Sequence, residues 1–590
     1  MRKAFVLVLL VVICFIMVSC DTLSTDSNAS TTTNSSETTS SIGVTSQITL
    51  DEEDTLDSEL VEDETVTFAV SSISSTTNQV LIEDNKVIIS TAGTYLLQGV
   101  SNNVSIYIDV SSNEQVTLLL DDVHLTSLDG PVIEVENADK VILNLVEGTS
   151  NSLTDSKSSL TDFKATISSN DDVTINGSGS LSIYANYKNG ISSDDDLVIT
   201  NGVIIIDAAN NGVKVNNDVF ITNVDLTISC LNDGIQVENT DEETLGNLVI
   251  ENGEFDIDAY GDCFDVTNVI AISEGVFLLH SGDGNYDINS VSGKGMKASQ
   301  GINILGGTYT ILSSDDGLHS NSDLYIQGGI ISISSNDDGI HSDETLVISG
   351  GEINISKCYE GLESLNITIN GGSIHINGGS IHINASDDGI NVAGGSDSSS
   401  SFPFDPRLES SENAILTING GYVYVISSGD GIDANGQIIM TGGVVLVNGP
   451  TSDGDGPIDY NVSFKITGGI LIATGSSGMA QNVGATSTQP GILIKLSSET
   501  TNLIHLEDEL GNTILHFQPV KKYESIVISC PLLEIGDAYK LYLGGSLVEN
   551  TLNEDGYSLE GVYQKGTLLQ SFTLTSLTYS IGTSSFDPRR

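Results

Sequence analysis

Carboxylates recur in this sequence at a spacing suited to holding a cation. Ser314-Asp315-Asp316-Gly317-Leu318-His319-Ser320, Asn336-Asp337-Asp338-Gly339-Ile340-His341-Ser342 and Tyr359-Glu360-Gly361-Leu362-Glu363-Ser364 repeat one pattern, with glycines 22 residues apart. The residue before the glycine, followed through the chain, is Asn189, Asn211, Asp233, Asp262, Lys294, Asp316, Asp338, Glu360, Asp388 and Asp430. The residue two after it is Asp265, Lys297, His319, His341, Glu363, Asn391 and Asp433 over the later repeats. Stacked at a strand spacing of about 4.8 Å, neighbouring carboxylates repel by roughly 3 kcal/mol per pair at an effective dielectric near 20. Water, a proton or a cation must relieve this. Calcium prefers many oxygen ligands, so Asp233, Asp262, Asp265, Asp315, Asp316, Asp337, Asp338, Glu360 and Asp388 are candidate calcium ligands. Lys294 and Lys297 are placed to neutralise the carboxylates beside them. Asp and Asn before Gly are also ordinary turn formers, because their side chains bond local backbone N–H groups. His319 and His341 suit either a transition metal or a stacked, hydrogen-bonded pair.

These residues need a scaffold that repeats every coil. Gly190, Gly212, Gly234, Cys263, Gly295, Gly317, Gly339, Gly361, Gly389 and Gly431 are each followed by an apolar residue, and two positions later by a small or β-branched one. A period near 22 residues, built of short β-like runs and turns, predicts a parallel β-helix. Gly130-Pro131-Val132-Ile133 and Lys164-Ala165-Thr166-Ile167 read as earlier coils, and the runs from Val66 to Leu120 as an entry cap plus first coils. Longer steps from Gly234 to Cys263 and from Cys263 to Gly295 imply loops inserted on one edge, such as Thr240 to Leu245. Gly371 to Asn377 is repeated verbatim as Gly378 to Asn384, which predicts a bulge with one copy displaced from the stack. Ser396 to Asn413 reads as a surface loop, and its Phe404-Asp405-Pro406-Arg407 recurs at Phe586 to Arg589. Beyond Gly491 longer alternating runs predict a small antiparallel β unit. The expected organisation is residues 1–19 as a lipoprotein signal peptide, 20–64 as a tether, 65–481 as the β-helix and 482–590 as the C-terminal β unit and tail.

Composition narrows the function classes. Lys and Arg total 20 against 80 Asp and Glu, a formal charge of −60. Nucleic acid is excluded, since phosphate binding needs clustered basic residues. Met1-Arg2-Lys3, the apolar run Ala4 to Val18 and Ser19-Cys20 have the form of a secretory leader with a lipoprotein box. Cys20 is the expected acylated residue, tethering a monomeric chain to the outer face of a bacterial membrane through residues that remain solvated, the acidic run Asp51 to Glu64 included. Cys230, Cys263, Cys358 and Cys530 form no metal-ligand spacing and read as small buried residues.

Catalysis has a fold-level precedent in the pectin lyases and polygalacturonases. Lys188, Lys214, Lys294 and Lys297 are the available bases, and no constellation singles one out. Polar repeated grooves suit hydroxyl-rich or uronate chains; with no Trp, stacking on a sugar must rely on Tyr and Phe. His319, His341, Tyr359, Glu363, Lys294 and Lys297, beside the ladders, are the candidate carbohydrate contacts. Lys294-Gly295-Met296-Lys297-Ala298, Asp387-Asp388-Gly389-Ile390-Asn391, Gly429 to Gly436, Val447-Asn448-Gly449-Pro450-Thr451 and Gly475 to Gln481 stand in a characteristic order. Together they resemble the clostridial family of secreted carbohydrate-binding β-helix proteins, over roughly Val66 to Ile528. The resemblance implies a right-handed parallel β-helix with a pectate-lyase-like fold, bound calcium, and binding of cellulose and of acidic polysaccharides such as polygalacturonate, without established catalysis. A calcium-dependent lyase and a protein-binding adhesin are the alternatives.

Overall fold

The structure is a computed structural model that describes residues 54–55, 61–70, 72–77, 79–157, 162–282, 292–376, 387–393, 413–549 and 551–582. The expected leader, Cys20, most of the tether, the second copy of the duplicated heptapeptide, nearly all of the Ser396 to Asn413 loop and the terminal Phe-Asp-Pro-Arg lie outside them.

The predicted coil register is the observed one. Ile191, Val213, Ile235, Phe264, Met296, Leu318, Ile340, Leu362, Ile390 and Ile432 pair successively in parallel strands. Ile133 and Ile167 extend the stack downward. This narrow sheet has strands about three residues long, such as Leu318–Ser320. A second sheet follows after a short corner (Gly301–Ile304, then Asp323–Ile326), and a third is longer (Thr308–Ser313, then Ile330–Ser334). Three sheets per coil make a parallel β-helix.

Alternation along each strand explains the core. In Thr308–Ser313 every second side chain is buried, as strand geometry requires, and the inward positions join one continuous apolar interior. Identical positions on successive coils lie one strand spacing apart, so aromatic rings stack: Phe255 on Phe277 and Phe277 on Tyr309, both at 4.7 Å between centroids. The reference glycine is required by space rather than by backbone angle. A Cβ on Gly317 would lie 2.6 Å from the Gly339 carbonyl oxygen of the next coil. Cys263 takes one such position with its side chain wholly buried, and all four described cysteines are buried free thiols.

Both ends are closed. At the start, hairpins Glu64–Ala69 with Ser72–Ser75 and Val80–Glu83 with Lys86–Ile89 lead into the first parallel pairings. The acidic run is not wholly solvated as expected: Asp54 and Glu64 are each only 1% exposed. Asp54 accepts from Lys140 Nζ at 2.8 Å and from Thr174 Oγ1 at 2.6 Å on the second sheet. At the far end Tyr523–Ser529 pairs antiparallel with the last coil strand Ile470–Gly475 and with Gly491–Thr500. A five-stranded antiparallel sheet follows, with Ile504–Asp508 paired to Thr513–Phe517 and to Ala538–Leu547. Its apolar face shares a core with Tyr424, Leu446 and Ile472 of the coils.

Candidate functional site

The acidic ladder lies at the corner where the third sheet turns into the narrow one, and its first role is structural. Most rungs accept the backbone N–H of the equivalent residue one coil on; Lys294 has no acceptor to offer, and Asp316 N donates instead to Asp315 Oδ1 at 3.1 Å. Asn211 N donates to Asn189 Oδ1 at 3.2 Å, Asp262 N to Asp233 at 3.0 Å, Lys294 N to Asp262 at 2.7 Å, Asp338 N to Asp316 at 2.9 Å and Glu360 N to Asp338 at 3.2 Å. Asp430 N donates to Asp388 at 2.6 Å. The turn-forming and the ligating readings therefore describe the same side chains: one oxygen is used by the backbone, the other remains.

What meets that second oxygen differs along the column. Around the middle, Lys294 Nζ is 3.0 Å from Asp315 and 2.5 Å from Asp316. Lys297 Nζ is 3.0 Å from Asp265 and 3.8 Å from Asp262. Both lysines do neutralise their neighbours. Burial opposes charge on Asp316, but the Lys294 ammonium and His319 hold its carboxyl well below the usual range. Among the described residues Asp233, Asp262 and Asp265 assemble no three-ligand group, and Lys297 already pairs with two of the three. Burial and the Asp262 charge raise Asp233 to about 7.

His319 and His341 do not present themselves to a sugar, as they were expected to. They are 2% and 1% exposed, with rings stacked 4.8 Å apart. His319 Nδ1 is 2.8 Å from Asp316 Oδ2. His341 Nδ1 lies 3.1 Å from Asp338 and 3.0 Å from Glu363, and its Nε2 3.0 Å from Asp343. Burial disfavours an imidazolium there, yet those carboxylates outweigh it and raise the pKa to about 12. His341 is thus the cation of its own rung. Lys294 is buried as well, whereas Tyr359, Glu363 and Lys297 keep partial exposure.

Beyond Glu360 the column has no basic partner among the described residues. Glu360, Asp387 and Asp388 bring ligand oxygens within 4.8 Å of one another, and so do Asp388, Asp430 and Asp433. Burial, with repulsion from Asp430, raises Asp388 to about 9. Burial raises Asp430 to about 7, and burial with the Asp459 charge raises Asp433 to about 6. Asn391 Nδ2 donates to Glu360 Oε2 at 2.8 Å, while its Oδ1 is buried without any donor. A buried acceptor-only oxygen beside carboxylates that resist ionising is what a hard cation would satisfy. The residues present fit calcium better here than around Asp316 or His341. Asp387, Asp430 and Asp433 were not among the expected ligands, although Asp430 and Asp433 stand in the two ladders.

A second ladder escaped sequence reasoning altogether. At the next corner Asp218 N donates to Asp196 at 3.0 Å and Asn247 N to Asp218 at 2.9 Å. Asp172, Asp195 and Asp196 cluster there, with burial raising Asp172 to about 6 and Asp196 to about 7. The repeated Asp-Asp of residues 171–172 and 194–196 was the available signal.

None of the lysines considered as a base is free. Lys188 pairs with Asp162 at 2.6 Å and Lys214 with Glu238 at 2.7 Å. Asp262 and Asp265 raise the pKa of Lys297 against the opposing effect of burial. Fold and site together define a parallel β-helix carrying a buried, partly uncompensated carboxylate column. A family model for carbohydrate-binding domain-containing proteins matches residues 83–339 and 321–401, and the chain belongs to that family. A protein of the same description from Acetivibrio thermocellus is 39% identical over 235 residues, 38% of this chain and 78% of the relative. A solved structure, a polysaccharide lyase-like protein from C. thermocellum in a gadolinium derivative, is 31% identical over 41% of this chain and 96% of its own, with a TM-score of 0.38.

Proposed function

We propose that the protein binds plant-wall polysaccharide outside the cell, without cleaving it, and that calcium joins acidic glycan to the unpaired end of the column. Family membership supports the carbohydrate partner. The observation that carries the calcium role is the Glu360–Asp388–Asp430 stretch, where acceptor oxygens, the orphaned Asn391 Oδ1 among them, gather without a described lysine beside them. Glu360, Asp387 and Asp388, or Asp388, Asp430 and Asp433, would hold an ion, which supplies positive charge that a uronate carboxylate can share. Anchoring through an acylated Cys20 would keep the helix at the cell surface, and cellulose and polygalacturonate are the glycans proposed.

The test is a pull-down of the full chain on both polymers with and without chelator. Retention on polygalacturonate is expected to need calcium and to fall in the Asp388→Asn, Asp430→Asn double variant. No retention on either polymer removes the reading. Unsaturated uronate product appearing during incubation would restore the lyase.

A further inference from the structure

The inserted loop predicted between Thr240 and Leu245 encloses a cleft. Neighbouring coils cross from the narrow to the second sheet in three residues, as between Val215 and Val219, but Val237 and Leu248 are separated by ten. The extra residues stand over the corners of the following coils and leave an open cleft of about 700 Å³ against them. That volume lies in the range of small-molecule sites, roughly 300–1,000 Å³.

The loop is held in place rather than draped. Asn239 Oδ1 accepts from the N–H groups of Asp241 at 3.0 Å and Glu242 at 2.9 Å, and Asn239 Nδ2 donates to Asn217 at 2.9 Å. Asn268 Nδ2 donates to the Glu243 carbonyl at 3.2 Å, and Asn247 Nδ2 to the Thr244 carbonyl at 2.9 Å. A rigid wall loses little entropy when a ligand docks.

The lining decides the ligand class. Glu242, Glu243 and Asp323 contribute carboxylates, Asn268 and Gln300 amides, and among the described residues no lysine, arginine, histidine or aromatic ring lines it. The Gln300 amide and the Glu242 and Glu243 carboxylates have no protein partner among the described residues. Phosphate, sulfate or uronate would meet uncompensated negative charge. A simple cation would match the carboxylates but offer nothing to the Gln300 N–H donors. Vicinal hydroxyls donate and accept at once, which suits an amide beside a carboxylate.

We propose that this cleft is a subsite for neutral, hydroxyl-rich sugar units, working without calcium and separate from the acidic column. The inference rests on the polysaccharide-binding reading and divides it: uncharged units at the loop corner, uronate units at the column. Calorimetric titration of the full chain in chelator, with cellotetraose, xylotetraose, mannotetraose and galactotetraose as probes, tests it. At least one probe is expected to bind, with affinity about tenfold or more weaker in Gln300→Ala and in Glu242→Ala. Both side chains are exposed, so melting temperature should not move. Calcium-dependent retention on polygalacturonate should be unchanged in either variant. If that retention persists and no neutral probe binds, the subsite is wrong and the broader function stands. Binding that ignores both substitutions, or that is confined to a chitosan oligomer added as a cationic control, also overturns the subsite. Loss of every glycan interaction in the unmodified chain overturns both.

Discussion

Among the described residues two histidine pairs are stacked, and the carboxylates around them differ. His319 and His341 stack at 4.8 Å on adjacent coils; His505 and His516 stack at 4.6 Å across an antiparallel pair in the C-terminal sheet. Sheet geometry sets the spacing in both. In the coils, His341 is surrounded by Asp338, Glu363 and Asp343 and stays charged. In the C-terminal sheet, Tyr563 covers His505 at 3.9 Å, and the two Nδ1 atoms face each other at 3.0 Å. The carboxylate beside His505, Glu507 at 3.3 Å, is shared with Lys565 at 2.7 Å. Burial, then repulsion from His505, lowers His516 to about 4. Buried imidazoles at equal separation thus carry different charge, because what matters is which carboxylates remain uncompensated.

The largest expected effect of a substitution comes from taking a partner out of the charged pair. Asp316→Ala leaves Lys294, 7% exposed, and His319 without their common carboxylate. Lys294 keeps Asp315 at 3.0 Å, so the cost should stay below the roughly 3–5 kcal/mol of a fully orphaned buried charge, at about 2 kcal/mol, which chemical denaturation of the coils would read. A loss below about 1 kcal/mol would mean Lys294 escapes to solvent, and that the column does not depend on its internal cations.

Acid should act on the other pair. The folded pKa of His516 lies below the unfolded value of about 6.5, so its contribution is complete above that pH and is lost as pH falls towards about 4. Linkage puts the loss at about 3 kcal/mol. Burial lowers His505 as well. Hydrogen-exchange protection in Ile504–Phe517, taken relative to the intrinsic rate at each pH, should fall between pH 6.5 and 4, whereas His341, with its raised pKa, holds its proton throughout. An NMR titration placing His516 near 6.5 would erase the contrast.

The comparison also shows what a one-dimensional reading can reach. Coil register was legible because a glycine, an apolar residue and a small residue recur at fixed offsets, and each offset has a steric cause, as the Gly317–Gly339 contact illustrates. Lys294 and Lys297 were legible as counter-charges because register places them beside named carboxylates. Burial of His319 and His341 was not: outward alternation along a strand says nothing of Asp316, Asp338 and Glu363 closing over them. Asp54 was missed because its partners, Lys140 and Thr174, are some 86 and 120 residues away. The His505–His516 pair needed the antiparallel register of the last sheet, for which no repeat exists.

The smallest expected effect isolates the cause. Lys565 is largely exposed and Glu507 is buried, so Lys565→Met should cost little stability, exposed ion pairs being weak. It should nevertheless change how the histidine beside it titrates. Burial is the main influence lowering His505, the Glu507 carboxylate opposes it and Lys565 reinforces it. Without the Lys565 ammonium, Glu507 is left with the more distant Lys540 at 3.9 Å and acts more fully on His505, and the C-terminal pair should move one step towards the state of His341. The expected readout is an upward shift of the His505 titration with His341 unmoved. A downward shift, or none, would show that burial under Tyr563 alone governs that imidazole, and that the two pairs differ by packing rather than by the supply of free carboxylate.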